Sequence, residues 1–375
     1  MSTAATDRPL RVVIAGGGTG GHLYPGVAVA RELLARRPDA VVTFAGTARG
    51  LESRVVPREG FPLDVIRSAG LKGKSIGDRT RAAALLVASA IDAWRVLSRR
   101  SPDLVMGVGG YSSGPVVLLA AMRRIPTLVL EPNATPGLTN RLLAPFVRAA
   151  AVAYDSALPL FRGKGFVSGT PLRGEFLANH RLDDDRAGRA PVRILIVGGS
   201  QGAHAINVAA VEAAPQLARA AVPLGVTHQT GERDLDMVRN GYRQAGLGAR
   251  VEPFLFEMAV EMRTADLIVC RAGAMTLAEI AAIGRPAVLV PLPTAADDHQ
   301  RRNAEVFQAA GAAVVLDQRT LTGTALAAQV LSLAQDPERR RAMAAASRTF
   351  ARPEAARLVV DRMMTLTGRG TPGAE

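Results

Sequence analysis

The stretch AGGGTGGHLYP, from Ala15 to Pro25, decides the fold of the first half of the chain. It follows an apolar run, RVVI, and leads into GVAVARELLARR, whose apolar residues recur at helical spacing. Gly16, Gly18 and Gly21 fit the pattern G-x-G-x-x-G, which between a strand and a helix typically binds a dinucleotide. That pattern gives no reason for His22, and a similar loop, VGGSQGAHAIN, recurs in the second half.

A dinucleotide site needs one further feature, an acidic residue at the end of the second strand that binds ribose. That strand, VVTFAGT, ends in Thr47, Ala48 and Arg49, and no acid occurs before Glu52. A phosphate-binding P-loop is excluded because no Gly-Lys-Ser/Thr follows a glycine cluster. The loop is then either a tight turn that binds nothing or a site for another anion.

Short apolar runs alternate with helical stretches along the whole sequence. The predicted strands are RVVIAG, AVVTFAG, PDLVMGVGG, PTLVLE, VRILIVGG, PLGVTHQ, RVEPF, ADLIVCR, PAVLVPLP and AAVVLD. They are apolar on both faces, as in a parallel sheet covered by helices. The alternation predicts an α/β fold with two Rossmann-like, doubly wound parallel-sheet domains facing across a cleft.

The polar segment GEFLANHRLDDDRAGRAP interrupts this alternation, and the order strand, glycine loop, helix starts again after it. A chain of 375 residues also exceeds one ordinary hydrophobic core. We therefore expect an N-terminal domain over residues 1–173, a linker over 174–191 and a C-terminal domain over 192–350. Residues 351–375 are expected to form a helix that returns to the N-terminal domain, and a tail.

The composition limits the classes of partner. The net charge is +13, which suits phosphorylated ligands, an anionic membrane or nucleic acid, but aromatic residues make up only 4% and no nucleic-acid motif occurs. No apolar run reaches the roughly 18 residues of a membrane span, and the first residues lack the apolar core of a signal peptide. The single cysteine, Cys270, ends an apolar strand, so we expect it in the core of a cytoplasmic protein.

Glycine-rich loops precede helices at residues 16–21, 107–115 and 198–203, and a fourth helix start follows Arg271. Backbone N–H groups and a helix dipole attract negative charge. Several such loops in one chain therefore favour an anionic ligand over plain turns.

Seven motifs then point to one family: AGGGTGGHLYPGVAVA, GGYSSGP, EPNATPGLTNRLLA, SGTPLR, GGSQGAHAIN, CRAGAMTLAEIAAIGRPAVLVPLP and DDHQRRNA. In this order they resemble the MurG family of peptidoglycan GlcNAc transferases along almost the whole chain. The resemblance implies the GT-B fold and inverting transfer of GlcNAc from UDP-GlcNAc to the 4-hydroxyl of MurNAc in lipid I. Lipid I is undecaprenyl-diphosphate-MurNAc-pentapeptide, and the product is lipid II.

His22 is the candidate general base for that hydroxyl, because a neutral imidazole accepts protons near neutral pH and a helix N-terminus disfavours imidazolium. The alternative is that His22 only hydrogen-bonds substrate or positions the loop. The resemblance implies an acceptor site in the N-terminal domain, with the loop approaching the acceptor diphosphate. Its residues are Gly18, Thr19, Gly109, Gly110, Tyr111 and Ser112. Tyr111 has ordinary packing as its alternative.

The resemblance places UDP-GlcNAc mainly on the C-terminal domain. The implied donor-binding residues are Thr19, Gly20, Gly21, Asn133, Arg173, Ser200, Gln201, Gly202, Leu255, Ala274, Met275, Thr276, Glu279, His299 and Gln300. Arg173 and the GGSQGA loop would bind the diphosphate, the backbone of Leu255 the uracil, and His299 with Gln300 the sugar hydroxyls. Pro132 stands where family members often have Gln, beside Asn133.

Glu279 would accept from the ribose hydroxyls, although a glutamate early in a helix also interacts with the helix dipole. No D-x-D motif suited to a metal occurs outside the expected linker, where Asp183–Asp185 lie. We therefore expect no obligatory metal cofactor.

A membrane-embedded acceptor requires membrane contact without a span. Lys72 and Lys74 precede a helical stretch that carries Leu85, Leu86 and Trp94. An apolar helix face beside cations binds an anionic interface. We expect peripheral attachment at the cytoplasmic face, with cell-wall or division proteins as further partners. The alternative is a helix that faces the core.

Other functions stay open at this point. A related transferase with another lipid acceptor, such as diacylglycerol, would have a similar donor half. A UDP-GlcNAc 2-epimerase shares the fold and would need no acceptor. A nucleotide-sugar-binding module and an NAD enzyme are the remaining alternatives.

Overall fold

The computed structural model describes residues 8–48, 50–68, 76–178, 191–199 and 202–369, and for residues 76–84 only the backbone. The chain divides into two compact units, with boundaries after Arg173 and after Ala351. Unit 1 contains the described residues before the first boundary and after the second, and unit 2 contains those between them. Residues 179–190, most of the expected linker, lie outside the described ranges.

Unit 1 is a parallel sheet with helices on both faces. Its strands are β1 (Arg11–Gly16), β2 (Val41–Gly46), β3 (Leu63–Val65), β4 (Leu104–Gly109), β5 (Thr127–Glu131), β6 (Ala149–Val152) and β7 (Gly165–Val167). Its helices are α1 (Gly20–Arg36), α2 (Glu52–Arg58), α3 (Ile76–Arg100), α4 (Ser113–Met122), α5 (Leu138–Leu143) and, near the end of the chain, α14 (Ala355–Leu366). The strand order is β3-β2-β1-β4-β5-β6-β7.

Unit 2 repeats this plan. Its strands are β8 (Val192–Val197), β9 (Leu224–Gln229), β10 (Ala249–Glu252), β11 (Leu267–Cys270), β12 (Ala287–Leu289) and β13 (Ala313–Val315). Its helices are α6 (Gly174–Leu177), α7 (His204–Ala218), α8 (Leu235–Gln244), α9 (Met258–Thr264), α10 (Ala274–Ile283), α11 (His299–Ala309), α12 (Gly323–Gln335) and α13 (Pro337–Arg348). The strand order is β10-β9-β8-β11-β12-β13, and the pairs are parallel.

The side chains of β1 alternate between two hydrophobic cores, because successive residues of a strand point to opposite faces. Val12 and Ile14 pack on the face covered by α1 and α14, whereas Val13 and Ala15 pack on the face covered by α3 and α4. Burial on both faces explains why the strand sequences are apolar throughout. The predicted fold class, α/β with two Rossmann-like parallel sheets, is confirmed.

The C-terminal helix α14 belongs to unit 1. Its residues Val359, Val360 and Met363 are buried in the core that contains β1 and α1. An ion pair of 2.7 Å joins Arg36 at the end of α1 to Asp361. The chain therefore leaves unit 1, forms unit 2 and returns to complete the first core.

Each sheet has one point where the strand order reverses: between β1 and β4 in unit 1, and between β8 and β11 in unit 2. Loops diverge there at the carboxyl ends of the strands, where doubly wound folds bind ligands. The four helices that follow these strands, α1, α4, α7 and α10, are those that the glycine-rich and RAGAMT motifs begin. The motifs thus lie at the two positions where the topology favours binding.

Candidate functional site

The two glycine loops of unit 1 are in direct contact. Gly16 pairs with Gly109 across β1 and β4, with a register shift at this end of the ladder. Gly109 has φ +97°, and a Cβ there would lie 2.7 Å from Cδ2 and 3.1 Å from Nε2 of His22. Only glycine leaves room for this ring, because both the backbone angle and the space exclude a side chain.

His22, the residue predicted to be the general base, lies in the first turn of α1. Its amide donates to the carbonyl of N-cap Thr19 at 3.2 Å, and its Nδ1 lies 3.2 Å from Thr19 Oγ1. When Nδ1 carries the proton and donates to this hydroxyl oxygen, Nε2 presents its lone pair. The neighbouring residues of the turn, Gly20 and Gly21, have no side chains that would cover the ring.

Glu52 supports this loop from below, although the sequence drew attention to it only as an acid too distant for ribose. Its buried carboxylate accepts from the amide of Gly18 at 2.8 Å, and from the amide and hydroxyl of Thr47 at 2.8 and 2.7 Å. Burial opposes ionisation, but these hydrogen bonds outweigh it and lower the pKa of Glu52. Gly18 keeps its place in the predicted acceptor loop, but its amide points to Glu52 and not outward.

A second buried carboxylate organises the EPNATPG loop. Glu131, the last residue of β5, accepts from the amide and side-chain nitrogen of Asn133 at 3.0 and 3.1 Å, and from the amide of Gly137 at 2.9 Å. Asn140 Nδ2 donates to it at 2.9 Å. Burial raises the pKa of Glu131, and these hydrogen bonds oppose the rise. Asn133 is thus held in place despite Pro132 beside it.

The remaining candidates in unit 1 have distinct surroundings. Tyr111 is 47% exposed, which does not fit the core-packing alternative, while Ser112 is buried at the start of α4. The Arg173 guanidinium lies 4.5 Å from the ring centroid of Tyr24 in α1, a cation–π contact. Arg173 is the last residue of the first segment of unit 1, and its predicted diphosphate role remains a prediction.

In unit 2, the loop after β8 is described at Gly198 and Gly199 and again from Gly202, whereas Ser200 and Gln201 lie outside the described residues. Gly202 has φ +74°, and a Cβ there would lie 1.9 Å from the carbonyl oxygen of Thr230. Its amide donates to the Gly199 carbonyl at 3.0 Å. The loop is therefore folded tightly onto the end of β9 before α7 begins.

A polar network, buried except for His204, lies behind this loop. Asn207 Nδ2 donates to Asp234 at 2.8 Å, and its Oδ1 lies 3.1 Å from His228 Nε2. His228 Nδ1 lies 2.8 Å from the hydroxyl of Tyr242, and His204 Nδ1 lies 2.9 Å from Asp234. Complete burial lowers the pKa of His228 to about 3, so the ring is neutral. A neutral ring accepts at one nitrogen and donates at the other, which satisfies both neighbours.

The start of α10 supplies the next group of predicted donor residues. Gly273 is the N-cap, and Ala274, Met275 and Thr276 form the first turn, whose amides have no acceptor within the helix. Glu279 lies in the second turn and is 7% exposed. Amides at a helix start followed by a carboxylate can bind phosphate and ribose hydroxyls respectively.

Leu255, predicted to meet uracil through its backbone, is buried in the loop after β10. Its amide donates to Gln229 Oε1 at 2.8 Å. Cys270 is buried at the end of β11, as expected of a core residue, and burial raises the pKa of its thiol to about 12.

His299 and Gln300 open α11. His299 Nδ1 donates to the carbonyl oxygen of Ala296 at 2.5 Å, so in the neutral form of the ring Nε2 is the nitrogen that accepts. Gln300 Oε1 accepts from the amide of Leu292 at 3.0 Å, which leaves its NH₂ group as the half that can donate to a sugar. Asn303 Nδ2 donates to the Ala272 carbonyl at 3.3 Å and thereby links α11 to the start of α10.

The neighbouring helices α3, α4 and α5 of unit 1 carry a set of exposed apolar side chains. Its members are Leu86, Val87, Ile91 and Trp94 on α3, Leu118 and Met122 on α4, and Leu138, Leu142 and Phe146 on and after α5. Arg123 lies over the Trp94 ring, 4.7 Å from its centroid. Trp94 is 54% exposed, which does not fit the alternative that it packs in the core. Leu85 is half-buried. Lys72 and Lys74 lie outside the described residues.

The described ranges contain neither a membrane-spanning helix nor a cluster of metal-ligating side chains. None of the helices there is long and apolar enough to cross a membrane. The same residues contain no group of three or more His, Cys, Asp or Glu side chains that could hold a metal ion.

Comparison with known proteins identifies the family of this chain. The Glycosyltransferase family 28 N-terminal domain matches residues 12–152, and the family 28 C-terminal domain matches residues 193–359. A protein of Anaeromyxobacter sp. (strain K) is 46% identical over 97% of this chain and 95% of its own. The chain belongs to glycosyltransferase family 28. That relative is named UDP-N-acetylglucosamine–N-acetylmuramyl-(pentapeptide) pyrophosphoryl-undecaprenol N-acetylglucosamine transferase.

Solved structures agree with the assignment to family 28. The crystal structure of MurG from Acinetobacter baumannii has a TM-score of 0.77 and 33% identity, over 95% of this chain and all of that one. A UDP-GlcNAc 2-epimerase from Neisseria meningitidis, bound to UDP-GlcNAc, has a TM-score of 0.64 at 14% identity, over 95% of this chain and all of its own. At that identity, the second likeness concerns the fold alone.

The residues that support the loops of this family 28 chain were not predicted from the sequence: Glu52, Glu131, Gln229 and Asp234. Two of them carried a usable signal. Glu131 and Gln229 are polar residues that end apolar strands, TLVLE and LGVTHQ. Because carboxyl ends of parallel strands meet at the binding edge, a polar residue there is a candidate for loop support.

Proposed function

We propose that this family 28 chain forms lipid II by moving GlcNAc from UDP-GlcNAc to the MurNAc 4-hydroxyl of lipid I, with inversion. The observation that carries the proposal is 46% identity, over 97% of the chain, to a transferase named for this donor and acceptor. The geometry adds support, because a histidine and helix starts lie at the switch points of the two sheets.

In the proposed reaction, His22 Nε2 accepts the proton of the 4-hydroxyl as its oxygen attacks the anomeric carbon. The new glycosidic bond forms while the bond between that carbon and the UDP oxygen breaks, and UDP leaves with the electron pair. Thr19 fixes the ring by its contact with Nδ1. Gly109 leaves the space that the ring occupies.

We assign UDP-GlcNAc chiefly to unit 2. The N-termini of α7 and α10 direct positive potential at the leaving diphosphate, the role of a divalent cation in many other transferases. Glu279 would accept from ribose, and His299 Nε2 with the Gln300 NH₂ group would read sugar hydroxyls. We propose that the reaction needs no metal.

The decisive test measures UDP release from UDP-GlcNAc in EDTA, with and without a short-chain lipid I analogue. Release that depends on the analogue is expected. UDP-ManNAc formation without acceptor would instead indicate an epimerase. Binding of the donor with no release would refute lipid I as acceptor, and diacylglycerol would be tested next. Activity only after Mg²⁺ is restored would refute the metal-free mechanism.

We further propose peripheral attachment at the cytoplasmic face through the exposed surface of α3, α4 and α5. Nine large apolar side chains in one region exceed what scattered surface positions explain. The net charge of +13 favours anionic lipid. We expect cosedimentation with phosphatidylglycerol vesicles and its reduction by Val87→Glu with Met122→Glu. Undiminished binding of that variant would place the membrane contact elsewhere.

A further inference from the structure

Gln229 occupies a central position in unit 2. It is the last residue of β9, which lies between β8 and β10, and its side chain is 2% exposed. Nε2 donates to the Gly199 carbonyl at 3.0 Å, and Oε1 accepts from the Leu255 amide at 2.8 Å. One side chain therefore joins the glycine loop after β8 to the loop after β10.

The backbone that follows Gln229 strengthens this connection. The amides of Thr230 and Gly231 donate to the carbonyls of Glu252 and Pro253 at 3.0 and 3.1 Å. On the opposite side, the Thr230 carbonyl accepts from Asn207 Nδ2 of α7 at 2.9 Å. The loop after β10 cannot move far without moving the end of β9, and with it the support of the glycine loop.

We propose that Gln229 is a positioning residue that couples the nucleobase subsite to the diphosphate subsite. The proposal rests on the proposed function, which assigns uracil to Leu255 and the diphosphate to the glycine loop. The carboxamide is the side chain suited to the task, because one partner is a donor and the other an acceptor. A carboxylate lacks the donor, and an apolar side chain lacks both groups.

Coupling has a measurable signature. Uridine engages the nucleobase loop, and UDP engages both loops. Replacing Gln229 with Met leaves the Leu255 amide without its acceptor and releases the Gly199 carbonyl, at similar side-chain length. We expect affinity to fall about 3-fold for uridine and about 30-fold for UDP, because UDP loses the order of both loops. The matched control is Gln216→Met, at an exposed position of α7, where both affinities are expected to stay within about 2-fold.

Titration calorimetry measures these affinities, and thermal unfolding shows whether each variant is folded. Equal loss for uridine and UDP in Gln229→Met would overturn coupling and leave Gln229 a local part of the uracil site. Unchanged affinity with a lower melting temperature would make it purely structural. If wild-type protein binds neither uridine nor UDP, the proposed function itself fails, which is a distinct result.

A measurement on wild-type protein covers the case in which Gln229→Met does not fold. Coupling predicts that saturating pyrophosphate tightens uridine binding about 5-fold, and that uridine tightens pyrophosphate binding by the same factor. Gln216→Met should retain this cooperativity. Independent binding of the two compounds to wild-type protein would overturn the proposal.

Discussion

The two glycine loops at the switch points are supported in opposite ways. In unit 1, the support is the carboxylate of Glu52, which follows β2 and accepts from the Gly18 amide. In unit 2, it is the carboxamide of Gln229 at the end of β9, which donates to the Gly199 carbonyl. β2 and β9 occupy the same place in their sheets, next to β1 and β8.

The difference separates two tasks. The anionic support in unit 1 occupies the Gly18 amide and places negative charge beneath the loop. This charge disfavours the expected approach of the acceptor diphosphate, but the contact fixes the turn that carries His22. The neutral side-chain carboxamide in unit 2 occupies a loop carbonyl and adds no charge, which suits a loop that binds diphosphate. Under the proposed function, similar loops would thus hold a base in one unit and bind an anion in the other.

Removing the base should produce the largest effect. His22→Ala should lower kcat about 1000-fold, the range of a general base, while UDP affinity stays within about 2-fold because the donor is assigned to unit 2. Thr19→Val, which removes only the Nδ1 partner, should lower kcat about 5-fold. Steady-state kinetics and calorimetry with UDP measure the two quantities. An equal loss of turnover and UDP affinity in His22→Ala would assign this residue to binding and break the comparison.

The support in unit 1 should give an intermediate effect. In Glu52→Gln, an NH₂ group replaces a carboxylate oxygen and faces a backbone amide, so two donors oppose each other. This change should destabilise unit 1 by about 2 kcal/mol and lower kcat about 10-fold. UDP affinity should not change, in contrast to Gln229→Met. Urea unfolding followed by fluorescence of Trp94, the single tryptophan and a residue of unit 1, measures the loss. A weakened UDP complex in Glu52→Gln would show that the two supports are not specific to their units.

The last effect concerns pH. The pKa of His228 is about 3 in the folded state and about 6.5 in the unfolded state. Between pH 3 and pH 6.5, the unfolded state therefore binds one more proton than the folded state. Stability of unit 2 should therefore fall as pH drops below 6.5, by up to about 1.4 kcal/mol per pH unit. Glu52, whose pKa is lowered, should destabilise unit 1 only below about pH 4.5, and Glu131, whose pKa is raised, acts in the opposite direction.

Urea unfolding at pH 7, 6 and 5 checks this order of response. Circular dichroism follows both units, and Trp94 fluorescence follows unit 1. The transition of unit 2 should shift to lower urea first, and His228→Gln should flatten its pH dependence. A parallel shift of both units would contradict the assignment to His228.

The sequence predicted the fold well because buried parallel strands are apolar on both faces. All ten predicted strands are present, but β3, β6 and β7 were missed. β3 and β7 have three residues each, and β6 reads AAAV, so none forms a long run of large apolar or β-branched residues. The formation of such strands depends on pairing with the strand next to them in the sheet.

The site was predicted only in part. Glycine loops and His22 are local patterns, and their place at strand ends follows from the motif. Glu52 and Gln229 contact loops that follow neighbouring strands, and the strand order that brings them together is not encoded in any short segment. For the same reason, the inward direction of the Gly18 amide and the use of Gln300 Oε1 by Leu292 were not foreseen.

The return of α14 to unit 1 has a consequence for synthesis on the ribosome. Val359, Val360 and Met363 complete the core around β1, so the half that is made first is the last to be finished. Unit 2, whose residues are continuous in the chain, can reach its native core while unit 1 still exposes the surface that awaits α14. During that interval the nascent chain carries an open apolar face, and we expect chaperones to bind it until α14 can pack against unit 1.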